Sequence, residues 1–272
     1  MNKRAELTTE QIVGLIILIV SFAIILFLLF RLNLQELTDK EICHNSILTV
    51  GKSTIKSEAS IDCKTNYVCI SGGKKCENFL PSLTREIQLT DSEEENKNKI
   101  MNALAEEMAD CWWMFGEGKV NYVGGNILLV DTTCSLCSVI AFDEEIKETM
   151  ENSVITYGDF YDYLENTSFK NSRSYFYYLY NFYGREELSP EALGVKMEDE
   201  IKFKNQYIVL TALSKRPFIR WTGLQTMFTV KIYEKLTNKI IDENRYLYPP
   251  VLLEKTEENL KDQGCDSFLT KA

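Results

Sequence analysis

Residues 90–119 read TDSEEENKNKIMNALAEEMADCWWMFGEGK, and the way this stretch folds decides the rest. Ser92 followed by Glu95 has the pattern of a capping box, and the acidic run Glu93-Glu94-Glu95 suits the positive end of a helix dipole. Ile100, Met101, Leu104, Met108, Cys111, Trp112 and Phe115 then fall on one face at i, i+3, i+4 spacing. The stretch is therefore an amphipathic helix stopped at Gly116. Such a stripe must be covered by another layer, and the flanking sequence offers strands. KVNYV, the turn Gly124-Gly125-Asn126 and ILLVDTT make a hairpin pattern, and SVIAF after Cys137 is apolar and β-prone. Upstream, SILTV, STIKSEASI, NYVCI and TREIQL read as short strands. Downstream, IKFKNQYIVLTAL, LQTMFTVKIYEKL and IIDENRYLY read as strands, the last two as a hairpin with one wet face, broken at Pro249-Pro250 before PPVLLEK. The expected fold is α+β, a mostly antiparallel sheet with a few helices packed on it.

The other decisive stretch is N-terminal. Ile12 to Phe30 (IVGLIILIVSFAIILFLLF) carries no charge and no proline. Such a helix rises roughly 28 Å, close to the thickness of a hydrocarbon core. A soluble helix would show a polar face over five turns. The run is longer than a secretory signal's apolar region and ends at LFRLN without a small-residue cleavage site. It therefore reads as a retained, single-pass transmembrane helix. Lys3, Arg4 and the amino terminus favour a cytoplasmic N-terminus, with residues 31–272 outside. Leu32, Leu34, Leu37 and Ile42 keep helical spacing, so a stalk continues the helix to about Lys40.

Arg4-Ala5, then Glu6-Leu7-Thr8-Thr9-Glu10 and the apolar run, resemble the class III signal of archaeal type IV pilins. The resemblance implies cleavage between Ala5 and Glu6, removal of a leader 1–5, and Glu10 as the fifth mature residue, where many pilin-like subunits carry glutamate. Ala5 stands where glycine is common in that family. DCWWMFGEGK with CSLCSVIAFD also resembles a group of archaeal membrane-anchored proteins without an assigned activity, which implies a shared extracytoplasmic fold.

All eight cysteines follow the apolar run: Cys43, Cys63, Cys69, Cys76, Cys111, Cys134, Cys137 and Cys265. An even number in an extracytoplasmic domain reads as up to four disulfides. Cys69 and Cys76 flank a Gly-rich turn and suit a hairpin clasp. Cys43 and Cys63 bracket a stretch that alternates like a two-stranded ribbon. Cys265 suits a staple from the tail to the body. Cys134-Ser135-Leu136-Cys137 has three readings: structural disulfides, a redox dithiol, or half of a zinc site. Its β-prone flanks place it between two strands rather than before a helix, which favours the structural reading. No second C-x-x-C accompanies it.

Residues 157–183 (YGDFYDYLENTSFKNSRSYFYYLYNFY) are crowded with tyrosine and phenylalanine. FYDYLEN and YFYYLYN repeat in character, giving two short helices that bury Phe160, Leu164, Phe176 and Leu179. Buried tyrosine hydroxyls need partners, so Tyr161, Tyr163, Tyr177, Tyr178, Tyr180 and Tyr183 are candidates for a surface that binds a protein or sugar. Asn166-Thr167-Ser168 is an N-glycosylation acceptor pattern.

The formal net charge is −10 and there is one histidine, His44. An acidic chain without a basic stripe is a poor partner for nucleic acid. G-x-S-x-G and H-E-x-x-H are absent, and Gly116-Glu117-Gly118-Lys119 lacks the spacing of a phosphate loop. The reading is a membrane-anchored, extracytoplasmic structural or interaction protein, non-enzymatic and without a cofactor or metal. Its expected partners are the lipid bilayer and either itself or another cell-surface protein. The alternative is a membrane-tethered thiol–disulfide oxidoreductase using Cys134 and Cys137. The expected organisation is a cytoplasmic segment 1–11, a membrane span 12–30, a stalk 31–42, a cysteine-rich subdomain 43–145 and an aromatic-rich subdomain 146–272.

Overall fold

The computed structural model describes residues 9–31, 34–52, 61–120, 122, 132–170, 173–180, 195–214, 246–265 and 267–270. The chain divides into two compact units, Met1–Asp39 and Lys40–Ala272. The first holds a 23-residue helix, α1 (Thr9–Arg31), with Glu10 in its first turn. Its side chains over residues 13–25 are exposed, apolar ones among them from 51% to 69%. Among the described residues no helix is long and apolar enough to cross a membrane. Ala5 and Glu6 lie outside the described residues.

The second unit is α+β and begins within α2 (Leu34–Lys52). In chain order it continues with β1 (Asn66–Ser71), β2 (Leu83–Glu86), α3 (Glu93–Met114), β3 (Thr132–Phe142), α4 (Glu144–Thr149) and α5 (Tyr157–Asn166). A two-stranded ribbon of β4 (Ser168–Phe169) and β5 (Arg173–Ser174) leads into α6 (Tyr175–Tyr180). The chain then forms β6 (Tyr207–Ser214), β7 (Tyr246–Glu254), α7 (Glu257–Asp262) and β8 (Ser267–Phe268).

Strand β3 organises the sheet, whose order is β2-β1-β3-β6-β7. One edge of β3 pairs antiparallel with β6. The other is shared, with β1 parallel along residues 138–142 and β8 parallel at Thr133 and Cys134. The sheet is thus mixed: β2, β1, β3 and β8 run parallel, β6 runs against them, and β7, antiparallel to β6, runs with them again. Helix α3 packs against β3, β6 and β7, with α5 and α6 beside it. Ser92 caps it, its hydroxyl accepting from the Glu95 amide. The whole expected stripe from Ile100 to Phe115 is buried.

Several expectations are corrected. SILTV is not a strand: residues 46–52 continue α2, and Cys43, Ile47 and Val50 bury one face at i, i+4, i+7. That period outweighed the β-branched residues. NYVCI and TREIQL contribute to β1 and β2, which are parallel, so no hairpin joins them. Strand β7 runs through Pro249-Pro250 instead of breaking there. Proline cannot donate to a ladder, and the register with β6 slips between Leu210 and Ala212 to accommodate the pair. The Thr211 hydroxyl donates to Tyr248 O at 2.6 Å and the Tyr180 hydroxyl to Pro250 O at 3.2 Å, so these carbonyls are satisfied. Segments 43–145 and 146–272 are not separate subdomains, because they share one sheet and one buried core. The hairpins expected at 119–133 and 224–248 fall largely outside the described residues.

Candidate functional site

Four disulfides use all eight cysteines: Cys43–Cys63, Cys69–Cys76, Cys111–Cys137 and Cys134–Cys265. Each ties an element to the sheet or to its own return. Cys43–Cys63 joins α2 to the approach to β1. Cys69–Cys76 folds the loop after β1 back on that strand, which lets β2 return parallel across a short connection. Cys111–Cys137 pins the buried face of α3 to β3. Cys134–Cys265 draws the C-terminal segment to the β3 edge where β8 pairs.

The C-x-x-C pair lies inside one strand, not between two. In an extended strand residues three apart are about 10 Å apart, beyond the roughly 7 Å Cα separation a disulfide tolerates. Cys134 and Cys137 therefore cannot close on each other, and each is buried and bonded elsewhere. Cys137 is the residue skipped where the β3–β6 register slips between Leu136 and Ser138. A bulge re-aims a side chain, and here the re-aimed sulfur meets α3. Neither the redox dithiol nor the zinc half-site exists in this arrangement.

The DCWWMFGEGK stretch builds a polar seam at the end of α3. Gly116, Glu117 and Gly118 form a short 3-10 turn and all have positive φ, 78°, 53° and 73°. The glycines take that region freely, and Glu117 bears strain that its partners must hold. Its carboxylate accepts from the Tyr178 hydroxyl at 2.9 Å and from the Lys119 ammonium. Burial pulls the Glu117 pKa up, but these two hydrogen bonds and the charges of Lys119 and His44 outweigh it and lower it. Burial first, then the Glu117 carboxylate, raises the Tyr178 hydroxyl far above its ordinary value. His44 stacks on Trp113 with ring centroids 4.0 Å apart, its Nδ1 2.7 Å from Trp113 O. The lone histidine thus joins α2 to α3.

A second cluster was not anticipated from sequence. Arg85 on β2 donates from Nε to Glu107 at 2.5 Å, and from its two terminal nitrogens to Glu106 and Asp110, each at 2.8 Å. Lys40 donates to Asp110 at 2.7 Å. Burial raises the Glu107 pKa although Arg85 and Lys40 oppose it. Burial also works against the Lys40 and Arg85 charges, but the carboxylates win and both are held more basic than usual. The signal was an acidic Glu-Glu-x-x-Asp turn beside the apolar stripe of α3, where a buried carboxylate needs a cation.

The tyrosines divide by burial. Tyr161 and Tyr180 are 3% and 1% exposed, with hydroxyls 3.4 Å apart, so they belong to the core and not to a surface. Tyr163 is half-buried and donates to Asn102 at 3.1 Å. Tyr178 is half-buried and engaged by Glu117. Tyr177 is 43% exposed, with the Arg173 guanidinium 4.3 Å from its ring centre. Tyr183 lies outside the described residues. The described members of this set do not form one exposed patch. Asn166 is exposed at the end of α5, its side-chain amide donating to Asp162 O at 2.8 Å. Among the described residues no three His, Cys, Asp or Glu side chains are placed to hold a metal ion.

Comparison with family models, curated proteins and solved structures finds no match to this chain. The class defined by its own geometry is an α+β body on a mixed sheet, cross-linked by four disulfides, with an apolar helix in a separate N-terminal unit.

Proposed function

We propose that the chain is a single-pass membrane-anchored, extracytoplasmic structural or interaction protein without catalytic activity. The observation that carries this reading is the use of every cysteine in a disulfide, within a body that begins just after the apolar helix. Disulfides persist in oxidising compartments and are rare in reducing ones. The uncharged run Ile12–Phe30 supplies the anchor. Residues 31–272 lie outside, and the partner is another copy or another cell-surface protein. The separate partners of Cys134 and Cys137 argue against the thiol–disulfide oxidoreductase.

Acid-quenched cells probed with a thiol-reactive polymer test this directly. No cysteine is expected to react before reduction and all eight after it; eight reactive thiols without reduction would end the proposal. Alkaline carbonate washing should leave the chain with the membrane.

A pilin-like subunit is the more specific form of this reading. It is favoured by Glu10 in the first turn of α1 and by the embedded face of α2, which seats a helix in the body. Cleavage between Ala5 and Glu6 predicts a mature N-terminal peptide beginning at Glu6. A peptide retaining Met1 or Asn2 leaves the plain anchor. Asn166 is the glycan acceptor in this proposal, and Asn166→Gln should remove the attached mass.

A further inference from the structure

A cavity of about 510 Å³ opens where the start of α5, the segment 195–202, the end of β7 and α7 meet. This is the volume range of small-ligand sites. Among the described residues, four carboxylates line it, Glu198, Asp199, Glu200 and Glu254, against a single lysine, Lys202. Its wall is built rather than loosely apposed. Tyr157 N donates to Asp199 O at 2.9 Å, Gly158 N to Met197 O at 2.9 Å, and Ile201 N to Ile155 O at 2.7 Å. Asn205 donates to Glu254 at 2.8 Å and fixes that carboxylate.

Tyr157 supplies an independent indication. Its side chain lines the cavity and the residue is only 6% exposed. Among the described residues its hydroxyl has no hydrogen-bond partner, in contrast to Tyr161, Tyr163, Tyr178, Tyr180 and Tyr207. Burial, and then the neighbouring Tyr207, Tyr161, Glu254 and Asp199, keep that hydroxyl protonated far above its ordinary range. A hydroxyl that faces a cavity without a protein partner is open to a ligand or to water.

We propose that this cavity binds a small organic polycation, a linear alkylammonium molecule of the polyamine class. Its ammonium groups neutralise the carboxylates, and one N–H donates to the Tyr157 oxygen. A metal ion is the poorer occupant, because no three of the described acidic side chains converge on one point. The carboxylates instead suit separated charges along one chain.

The test is calorimetric titration of spermidine into the full-length, disulfide-intact protein in detergent. One saturable site is expected. Tyr157→Phe, which keeps the ring, and Glu254→Gln should each weaken it about tenfold. Lys202→Gln, at an exposed side chain, should tighten it several-fold by removing a competing cation. Glu257→Gln, outside the cavity lining, should leave it unchanged. The proposal is overturned if spermidine shows no saturable binding. Equal weakening by Tyr157→Phe, Glu254→Gln and Glu257→Gln, the mark of diffuse attraction to an acidic chain, overturns it as well. So does saturable binding of magnesium ion in place of spermidine. Far-UV circular dichroism confirms that each variant is folded, and the gain expected from Lys202→Gln does not depend on the buried substitutions.

Discussion

Asp143 is a fully buried carboxylate whose bonds run to two different elements. Its Oδ1 accepts from the Ile146 amide at the start of α4. Its Oδ2 accepts from the Ser71 hydroxyl and from the amides of Gly72 and Lys74 beyond β1. Every neighbour is a donor, so Asp143→Asn turns an amide N–H₂ toward donors. We expect a loss of about 2–4 kcal/mol in urea unfolding, the sum of a lost cap and an orphaned buried group. The buried tyrosines make a second residue-level prediction. Desolvation pushes Tyr161 and Tyr175 up to about 12 from 10.0. A folded pKa above the unfolded one gives stability that is whole below pH 10 and lost as pH rises toward 12. Phenolate absorbance should therefore develop together with loss of the circular dichroism signal across that window. Separate, earlier titration of these residues would contradict the burial described. Little of this was legible in the sequence. Tyrosine excess was plain, but which rings face inward depends on the α3 surface they meet. Asp143 stood only as the last residue of CSLCSVIAFD, with no sign of the donors that meet it.

At the scale of elements, the disulfides differ in what they constrain. Cys69–Cys76 closes a separation of 7 residues and Cys134–Cys265 one of 131. On the chain-entropy account, restraint of the unfolded state grows with the loop. Replacing Cys134 and Cys265 with alanine should cost about 2–3 kcal/mol more than replacing Cys69 and Cys76, measured by denaturant unfolding. Equal losses would place the stabilisation in the folded state. Helix α3 was readable because cap, stripe and stop agreed on one period. α2 was misread because SILTV has strand composition, and only its packed face reveals the helix. β7 was cut at its prolines because sequence carries no sign that Thr211 and Tyr180 would serve the carbonyls there. The parallel return of β2 was hidden for a related reason: a short connection normally means a hairpin, whereas here the chain between the strands is first folded back on β1 by Cys69–Cys76.

For the molecule as a whole, one sheet gathers distant parts of the chain, and β3 is where they meet. The α+β class, the cysteine framework and the apolar run could be read in advance. The single core could not, because composition shifts near residue 146 while the packing does not. The cavity escaped notice as well, since Tyr157, residues 198–202 and Glu254 adjoin only after β7 has been laid beside β6. The place of β8 on β3 has a consequence for biogenesis. Strand β3 is made early, yet part of its edge and the sulfur of Cys134 are claimed by residues 131 positions or so later. At about 5–20 residues per second, that partner follows on the order of ten seconds behind. Throughout this interval Cys134 waits as a thiol three residues from Cys137, whose own partner Cys111 has already emerged. The order of synthesis therefore favours closing Cys111–Cys137 first and leaves the last crosslink to seal the finished body.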